Sequence, residues 1–356
     1  MELILMDTKF NKINIIDIFS SLIWTIRYSS YGDFQLTVRA DNNVLNMYKD
    51  DYYLINNASD RAMIIETKNL KTDSENGDVL TVTGRSLESI LERRVLWKQT
   101  ILTGSLQNGI KKLITENIIS PSIEKRKITN FIFKESTDIT ITNLEIEAQL
   151  NAGENLYDAI VAICESAGIG FKIYFDDNYN FVFELYNGIN RSFDQEANSY
   201  VVFSPNYDNL INSEMVQSKK TLKNVSLVIG EGEGSNTKIA VAESDINAIG
   251  IDRREMSTDA SELSTIGDDS TTISDKDYTN QLVQKGKEDL ANNIYSNAFE
   301  GGVDDSQTFI FNQDYFIGDI VQLQNEYGFE TKARISEIIF SESTDDISIH
   351  PTFVGL

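Results

Sequence analysis

Cysteine, histidine and proline are nearly absent from this chain. Its 356 residues include one cysteine, one histidine and three prolines. The single cysteine, Cys164, excludes an internal disulfide bond and any thiolate metal site of the zinc-finger kind. One histidine, His350, leaves little scope for histidine-based catalysis, and the scarcity of proline argues against proline-rich linkers.

Long apolar runs are missing as well. No window approaches 18 consecutive apolar residues, and the apolar run within the first 12 residues (MELILMDTKFNK) is short, with acidic positions around it. Signal peptides and membrane spans need longer apolar stretches. We therefore predict neither of them, no membrane insertion, and folding in a cytosol.

Basic residues are outnumbered by acidic ones. The chain carries 31 Lys and Arg against 55 Asp and Glu, a net charge of −24 at pH 7. A protein that grips duplex DNA needs a local basic patch, and only short groups such as Lys125-Arg126-Lys127 are present. A well-solvated acidic surface accounts for this charge. The alternative is that carboxylates line a surface that repels nucleic acid.

Residues 1–85 have mainly the pattern of β-strands. Two runs with period-two alternation flank a Tyr-Gly-Asp turn in 24–39. Further strands are predicted at 51–55, 62–67 and 79–83. The Asn-Gly pair in Glu75-Asn76-Gly77-Asp78 predicts a hairpin between the last two strands. Ser86 then has the chemistry of an N-cap and predicts a short helix.

The middle of the chain, 101–204, changes to a helical period. Ser105 precedes apolar residues at helical spacing, and a second helix is predicted at 154–167 with Gly168 at its C-cap. Two β-prone runs then flank a turn at 176–180. This order of elements predicts a small accessory α/β domain.

The last part, 205–356, returns to strands, most clearly at Val225–Ile229. The glycine-rich GEGEG that follows predicts a turn, and the polar stretch 252–275 predicts a loop. A capping-box-like Ser-Asp-Lys-Asp opens a helix that we expect to cover 275–297. The final 50 residues are predicted as strands.

Two segments at opposite ends of the chain share a layout. Each of DYYLINNASDRAMIIE (51–66) and DIVQLQNEYGFETKARISE (319–337) starts with Asp, continues through an apolar strand to Asn, turns, and returns through Ala-x-Ile-x-Glu. The matched pairs are Asp51 with Asp319, Asn57 with Asn325, Ala62 with Ala333, Ile64 with Ile335, and Glu66 with Glu337. Two β-hairpins can match this well by chance. Otherwise the match predicts two copies of one β-domain.

Candidate catalytic groups are weak throughout. A glycosidase needs two carboxylates about 5–10 Å apart in a cleft, and among so many acidic residues some pair always meets that distance. The best pairs are Glu145/Glu147, on a strand-like run, and Asp176/Asp177, in a hairpin turn. GEGEG lacks the lysine and Ser/Thr of a phosphate loop, and the acidic run 268–277 lacks the calcium-loop pattern. We predict no catalytic, cofactor-binding or metal-binding residue, and no cofactor.

Several single residues have both a structural and a functional interpretation. His350 stands alone and is interpreted as structural or exposed, and Cys164 as a small core residue on the apolar stripe of a helix. Arg253 and Arg254 either pair with carboxylates across a subunit boundary or are simply solvated. Aromatic residues, 10% of the chain, are compatible with sugar binding by exposed rings. Most of them fall on predicted strands, where core packing is the default.

Six segments, taken in order, resemble a known family. They are WTIRYSSYGDFQL (24–36), GRSLESILERR (84–94), NLYDAIVAICESAGIGF (155–171), VSLVIGEGEG (225–234), GIDRREM (250–256) and QDYFIGDIV (313–321). Each is weak alone. Their order and spacing resemble the short baseplate-hub proteins of long-tailed phages, prophages and tail-like bacteriocins of Gram-positive bacteria.

The resemblance implies a mainly β, α+β fold in three parts. These are a tail-tube-like β-barrel domain at 1–100, the accessory α/β domain at 101–204, and a second tube-like β-barrel domain at 205–356. It also implies a non-enzymatic, homotrimeric hub in the virion tail baseplate, assembled in the host bacterial cytoplasm. Two similar barrels per chain let three chains adapt a six-fold tail tube to a three-fold tip.

The implied partners lie above and below this hub. They are the tail tube or distal tail protein on one side and a spike, tip or fibre protein on the other. DNA passes through the enclosed ejection channel without specific binding, and we expect the excess carboxylates to line that channel. The alternatives are a tail-tip cell-wall hydrolase and a surface-polysaccharide adhesin. A cell-wall zymogram and a glycan-binding assay distinguish them.

Overall fold

Strands make up most of the regular structure. A computed structural model describes residues 2–72, 77–267, 270–303, 308–343 and 346–356, and within them the chain forms 21 strands and five α-helices. Part of the predicted turn at 75–78 and Asp268-Asp269 of the acidic run lie outside the described residues. In the described ranges, no helix combines the length and apolarity needed to cross a membrane.

The strands are spread along the whole chain. In chain order they are β1 (Leu3–Met6), β2 (Lys12–Ile16), β3 (Ser21–Arg27), β4 (Asp33–Arg39), β5 (Tyr53–Asn56), β6 (Ala62–Lys71), β7 (Val79–Ser86), β8 (Thr100–Ser105), β9 (Phe131–Lys134), β10 (Glu145–Leu150), β11 (Gly170–Phe175), β12 (Phe181–Tyr186), β13 (Val202–Phe203), β14 (Leu210–Ser218), β15 (Val225–Ile229), β16 (Ile239–Glu243), β17 (Glu255–Asp259), β18 (Ser296–Val303), β19 (Ile320–Gln324), β20 (Glu330–Ser343) and β21 (Ile347–Gly355).

Helices are shorter and fewer. The α-helices are α1 (Asn42–Met47), α2 (Leu106–Ile114), α3 (Ile139–Thr142), α4 (Leu156–Ala167) and α5 (Asp275–Ala291). The 3-10 helices are Leu87–Arg93, Glu124–Arg126, Pro205–Tyr207, Gly234–Asn236 and Gly250–Asp252, and Thr115–Ile119 is a π-helical turn.

Helix ends largely follow the predicted caps. The Gly168 backbone is left-handed at the end of α4, and Ser274 accepts the Asp277 N–H at the start of α5. Ser86 precedes the 3-10 helix as predicted but does not cap it, because its hydroxyl accepts the Gly32 N–H instead, at 2.7 Å. The side chain thereby ties the start of this helix to the turn between β3 and β4.

One large sheet joins both ends of the chain. Thirteen strands pair in the order β14-β18-β21-β20-β3-β4-β7-β6-β5-β1-β2, with β19 on β20 and β13 on β19. The two halves meet where β20 pairs antiparallel with β3, from Glu337 opposite Arg27 to Ser343 opposite Ser21. Among the described residues this pairing path is open at β14 and β2. The mainly β, α+β class is confirmed, whereas two closed barrels are not.

Three hydrophobic clusters are formed by the described residues. The shared core is formed by both halves of the large sheet, including Trp24 and Phe34 from one end and Phe203 and Phe353 from the other. The accessory core is built by α2, α4 and β8 to β12 together with the 3-10 helix at 87–93. A third, smaller cluster lies between α5 and the three-stranded sheet β16-β15-β17, which together we call the inserted unit.

The inserted unit corrects two predictions. The predicted loop 252–275 contains β17, which pairs in parallel with β15. Its Thr258 side chain points towards α5, where the hydroxyl forms hydrogen bonds with Ser226 and Asp289. Because a polar residue takes this inward position, the sequence lacks the alternation of apolar residues that predicts a strand. The predicted helix 275–297 ends at Ala291, because the chain turns there into β18.

Candidate assembly surfaces

The large sheet contains the same four-strand block twice. The first block is β3-β4-β7-β6 and the second is β14-β18-β21-β20. In both blocks the first two strands of the chain order lie side by side, the third strand of the chain order takes the fourth position in space, and the last strand fits between them. The fourth position is also the second strand of a hairpin, β5–β6 in one block and β19–β20 in the other. The two ends of the chain therefore repeat one topology.

Backbone details of the two hairpins coincide. Asp51 and Gly318 both have positive φ, 64° and 92°. The Asp51 N–H donates to the Ile65 carbonyl at 2.9 Å, and the Gly318 N–H donates to the Ile335 carbonyl at 2.8 Å. A β-bulge directly follows each isoleucine. Bulges and left-handed residues occupy specific positions in a fold, so these matches support equivalence beyond a shared hairpin.

The register of the sequence match is wrong by one residue. Ile65 contributes to the shared core, as Ile335 does, whereas Ile64 points to the opposite face and joins the accessory core. Neighbouring residues of a strand face opposite sides, so pairing Ile64 with Ile335 inverts the strand. Asp51 is accordingly equivalent to Gly318 and not to Asp319, and the other matched pairs shift in the same way.

Charged groups fix the junction between the two blocks. Arg27, at the end of β3, contacts Asp33 and Glu337 at 2.6 Å each. Although burial acts to lower it, the hydrogen bonds and charges of these two carboxylates raise the pKa of Arg27. The guanidinium thus links β3, β4 and β20 across the junction.

Two strand edges in the repeated blocks are open. Within the described residues, β14 pairs only with β18. After its bulge, β6 pairs only with β7 over 67–71, although the equivalent part of β20 also pairs with β3. Unpaired strand edges are templates for pairing with another chain. These two edges are therefore candidate assembly surfaces.

The outward face of the central strands has little net charge. Apolar positions of β3, β4 and β7 and the adjoining part of β20 face the shared core, so the alternate positions face outward. Among those outward positions, the three cations are Arg27, Arg39 and Arg85 and the two carboxylates are Asp33 and Glu337. The remaining ones are mainly Ser, Thr and Gln, so the acidic excess lies elsewhere.

A buried ion-pair cluster attaches the accessory core to the first hairpin. The Arg61 side chain is only 2% exposed and contacts Glu88 at 2.9 Å and Asp60 at 3.0 Å. It also donates to the Tyr186 hydroxyl at 3.2 Å, while Lys172 pairs with Asp60 at 2.7 Å. Burial raises the pKa of Glu88, opposed by the charge of Arg61.

The two carboxylate pairs singled out from sequence lie in different surroundings. Glu145 and Glu147 lie on β10 beside a hollow of about 160 Å³. Burial, and then the charge of Asp277, raises the pKa of Glu147. Asp176 instead holds the predicted turn, because its carboxylate accepts the Asn178 and Asn180 N–H groups, each at 2.9 Å. Across the ranges given above, no group of three or more His, Cys, Asp or Glu could hold a metal ion.

The remaining single candidates have local roles. His350 is exposed on β21 and bonds the Ser348 hydroxyl at 2.9 Å. Cys164 is buried in the accessory core as predicted, and burial raises the pKa of its thiol. Arg253 pairs with Glu243 and Glu255 of its own chain, each at 2.8 Å, and a contact of Arg253 or Arg254 across a subunit boundary stays a prediction. GEGEG joins β15 to β16 as the predicted turn.

A cleft of about 780 Å³ separates α4 from α5. Its wall includes the carboxylates of Glu154, Glu262 and Glu288 and the ammonium of Lys285. Burial is the main cause that raises the pKa of both Glu154 and Glu288. The charge of this cleft favours cationic groups over anionic ones.

Exposed aliphatic residues of the inserted unit escaped prediction from sequence. Apolar residues occupy four of five positions in β15, a pattern that indicates a strand buried on both faces. The structure buries one face on α5 and leaves the other exposed. The exposed members on β15 and β16 are Leu227, Ile229, Ile239 and Val241, and the loop after β16 adds Ile246, Ile249 and Ile251. The continuous apolar run was the available signal.

Solved tail proteins share this fold. A tail protein from Neisseria meningitidis MC58 is similar with a TM-score of 0.57 and 12% identity, over 100% of this chain and 96% of that chain. The 43 kDa tail protein of prophage MuSo2 from Shewanella oneidensis has a TM-score of 0.57 and 13% identity, over 99% of this chain and 98% of that chain. Prophage tail protein gp18 from Listeria monocytogenes EGD-e has a TM-score of 0.55 and 12% identity, over 99% of this chain and 94% of that chain. The fold is that of phage tail proteins.

The family is defined by the sequence itself. A model described as Siphovirus ReqiPepy6 Gp37-like protein matches residues 2–353, and the chain belongs to this family. The resemblance to phage tail proteins predicted from six segments is thereby confirmed. A comparison with curated proteins gave no match.

Proposed function

We propose that this protein is a non-enzymatic baseplate hub, in which three copies close into a ring around the ejection channel. The observation that carries the proposal is the repeated four-strand block within one sheet. Three chains with two blocks each supply six similar blocks, which match a six-fold tail tube on one side and a three-fold tip on the other. In this assignment, 1–100 and 205–356 are the two tube-like domains and 101–204 is the accessory domain.

The block junction within one chain suggests how neighbouring chains join. Inside the chain, β20 of one block pairs with β3 of the other. The equivalent junction between chains pairs the open edge of β6 with β14 of the next copy. Inside the chain, Ile339 lies opposite Thr25. In the repeated blocks Asn69 is equivalent to Ile339 and Val216 to Thr25, so the same register places Asn69 opposite Val216 of the next copy.

The open face of the central strands would then form the channel wall. The opposite face packs on the shared core, so only this face remains available to line a channel. Its hydroxyl and amide groups neither attract the phosphates of DNA strongly nor repel them strongly, which is consistent with passage without specific binding. This geometry departs from the expectation that carboxylates line the channel, and it assigns the acidic excess to the outside of the ring.

The tail tube or distal tail protein would lie above this ring, and a spike, tip or fibre protein below it. Such a hub is assembled in the host bacterial cytoplasm and becomes part of the virion tail baseplate. The hydrolase and the adhesin are the alternatives, and two assays separate them from the hub. Clearing of host cell walls that a single carboxylate substitution abolishes would favour the hydrolase, and saturable glycan binding would favour the adhesin.

Disulfide trapping tests the ring. In the double variant Asn69→Cys/Val216→Cys, mild oxidation should give linked dimers and trimers on a non-reducing gel, because facing residues of paired strands lie within disulfide range. The native Cys164 is buried and does not interfere. The control is Asn69→Cys/Ser218→Cys, whose diagonal partners are about 7–8 Å apart. A chain that stays monomeric by mass photometry at every concentration, without cross-links, contradicts the proposal.

A further inference from the structure

The inserted unit carries an exposed aliphatic surface in an otherwise acidic chain. We define the aliphatic surface as the seven exposed side chains of β15, β16 and the following loop named above. The three loop isoleucines are the most exposed, with Ile246 at 81%, Ile249 at 77% and Ile251 at 93%. Contiguous apolar patches of this kind on a folded protein mark interaction sites.

The strand part of this surface is contiguous and rigid. Leu227 lies directly opposite Val241, and Ile229 lies directly opposite Ile239. The other face of the same sheet packs closely on α5. A Cβ added at Gly286 of this helix would lie 2.6 Å from side-chain atoms of both Val228 and Ala242. The four aliphatic side chains are thus presented outward by a supported sheet.

The loop part is held against the end of the same sheet by Asn224. The Asn224 side chain donates to the Asp252 carbonyl at 2.8 Å and accepts the Arg254 N–H at 2.7 Å. Its own carbonyl accepts the Ser244 N–H at 3.0 Å. Both ends of the loop are therefore fixed, which lowers the entropic cost of ordering its isoleucines in a contact.

Charge favours a second copy of this chain as the occupant. Copies with a net charge of −24 repel one another, so they can approach most easily where carboxylates are absent or already paired. All seven members of the aliphatic surface are uncharged. On the exposed face of this sheet, Glu243 and Glu255 are both paired with Arg253. Asp259, opposite Ile229, is the carboxylate of this face that forms no ion pair with the described residues. An apolar centre with a polar rim is the usual anatomy of a subunit interface.

The position of the inserted unit favours the same occupant. It lies between β14 and β18 in the chain, so it projects from the strand that carries an open edge. A backbone bond from the Lys223 N–H to the Asn293 carbonyl, 2.8 Å, closes its neck. The proposed ring places the neighbouring copy at this same edge.

We propose that the aliphatic surface packs against the neighbouring copy and is buried in the assembled ring. The inference rests on the proposed homotrimer and adds a second contact to the strand pairing. It assigns a role in assembly to a unit that neither belongs to the repeated blocks nor contributes to the shared core.

Single charge insertions test this contact. Val241→Glu and Ile239→Glu change outward side chains, so they should fold normally by circular dichroism while raising the trimer dissociation constant at least tenfold. Ile139→Glu, at a still more exposed isoleucine of α3 outside this surface, is the control and should leave the constant unchanged. Trimerisation equal to wild type in both glutamate variants would overturn the inference.

A second measurement separates this inference from the ring itself. An environment-sensitive dye attached to Ile251→Cys should shift to shorter wavelength as the protein concentration passes through the trimerisation range, and Cys164 is buried from the reagent. If the Asn69–Val216 disulfide forms but the dye stays solvated, the ring stands and the aliphatic contact fails. If wild type never trimerises, the ring itself has failed.

Discussion

Removing the Arg61 guanidinium should strongly weaken the attachment of the accessory core. Arg61→Met keeps the apolar stem and deletes the charge that faces Glu88, a side chain with no exposed surface. The carboxylate then remains buried without its cation. Glu88 also accepts the Ile173 N–H at 3.1 Å, a bond that cannot replace a full charge.

The expected size follows from this burial. Deleting one partner of a buried ion pair costs about 3–5 kcal/mol of unfolding free energy, because the other charge is left uncompensated. Replacing both partners removes that penalty, so Arg61→Met/Glu88→Leu should recover most of the loss and retain about 1 kcal/mol for the Ile173 bond. Arg93→Met, which breaks an exposed pair with Asp51 at 3.0 Å, should cost less than about 1 kcal/mol.

Urea unfolding followed by circular dichroism measures these differences, and pH provides a second check. Burial raises the pKa of Glu88, and loss of Arg61 removes the main opposing effect. A carboxyl with a raised folded-state pKa gains relative stability as pH falls through that value, because the folded state then binds the proton. The deficit of Arg61→Met should therefore shrink as the pH is lowered. A deficit below about 1 kcal/mol at every pH would refute the reasoning.

Three smaller effects are expected. Gly318→Ala should lower the free energy of unfolding by at least about 1–3 kcal/mol, because φ is 92° and the new Cβ would lie 2.3 Å from the Tyr28 ring. Gly328→Ala, where φ is 78° and the space is open, is the control and should lower the melting temperature less. Ser274→Ala should cost about 1 kcal/mol through loss of the α5 cap, with faster hydrogen exchange in the first turn. Burial raises the pKa of Glu288, so the folded state favours the protonated carboxyl. At a pH above that pKa, Glu288→Gln should therefore raise the melting temperature, and at a pH below it the gain should disappear. An equal gain at the higher and the lower pH contradicts this.

Local signals predicted much of the secondary structure. The turn at Asp176, the left-handed Gly168 and the cap at Ser274 each depend on residues within a few positions, so their chemistry is visible in the sequence. Period-two alternation similarly predicted β4, because every second side chain enters the core. Cys164 was predicted to be a core residue for the same reason, from its place on an apolar stripe.

Long-range arrangement was less predictable. The pairing of β20 with β3 joins residues at least 310 positions apart, and no local pattern encodes it. The repeat was recognised, yet its register was misplaced by one, because Ile64 and Ile65 are both apolar and the two faces of β6 meet different cores. β17 was missed because Met256 is its one inward apolar residue, whereas the inward Thr258 bonds hydroxyl and carboxylate partners.

The pairing of β3 with β20 also implies a delay in folding during translation. The first block can pair within itself soon after it leaves the ribosome, but the strand that covers β3 is translated 310 residues later. At about 5–20 residues per second, β3 waits roughly 15–60 seconds for its neighbour. During that interval nascent copies on adjacent ribosomes can pair through it, so high expression should favour mispaired aggregates. Slow translation or a chaperone that shields the N-terminal third should then raise the yield of correctly folded protein.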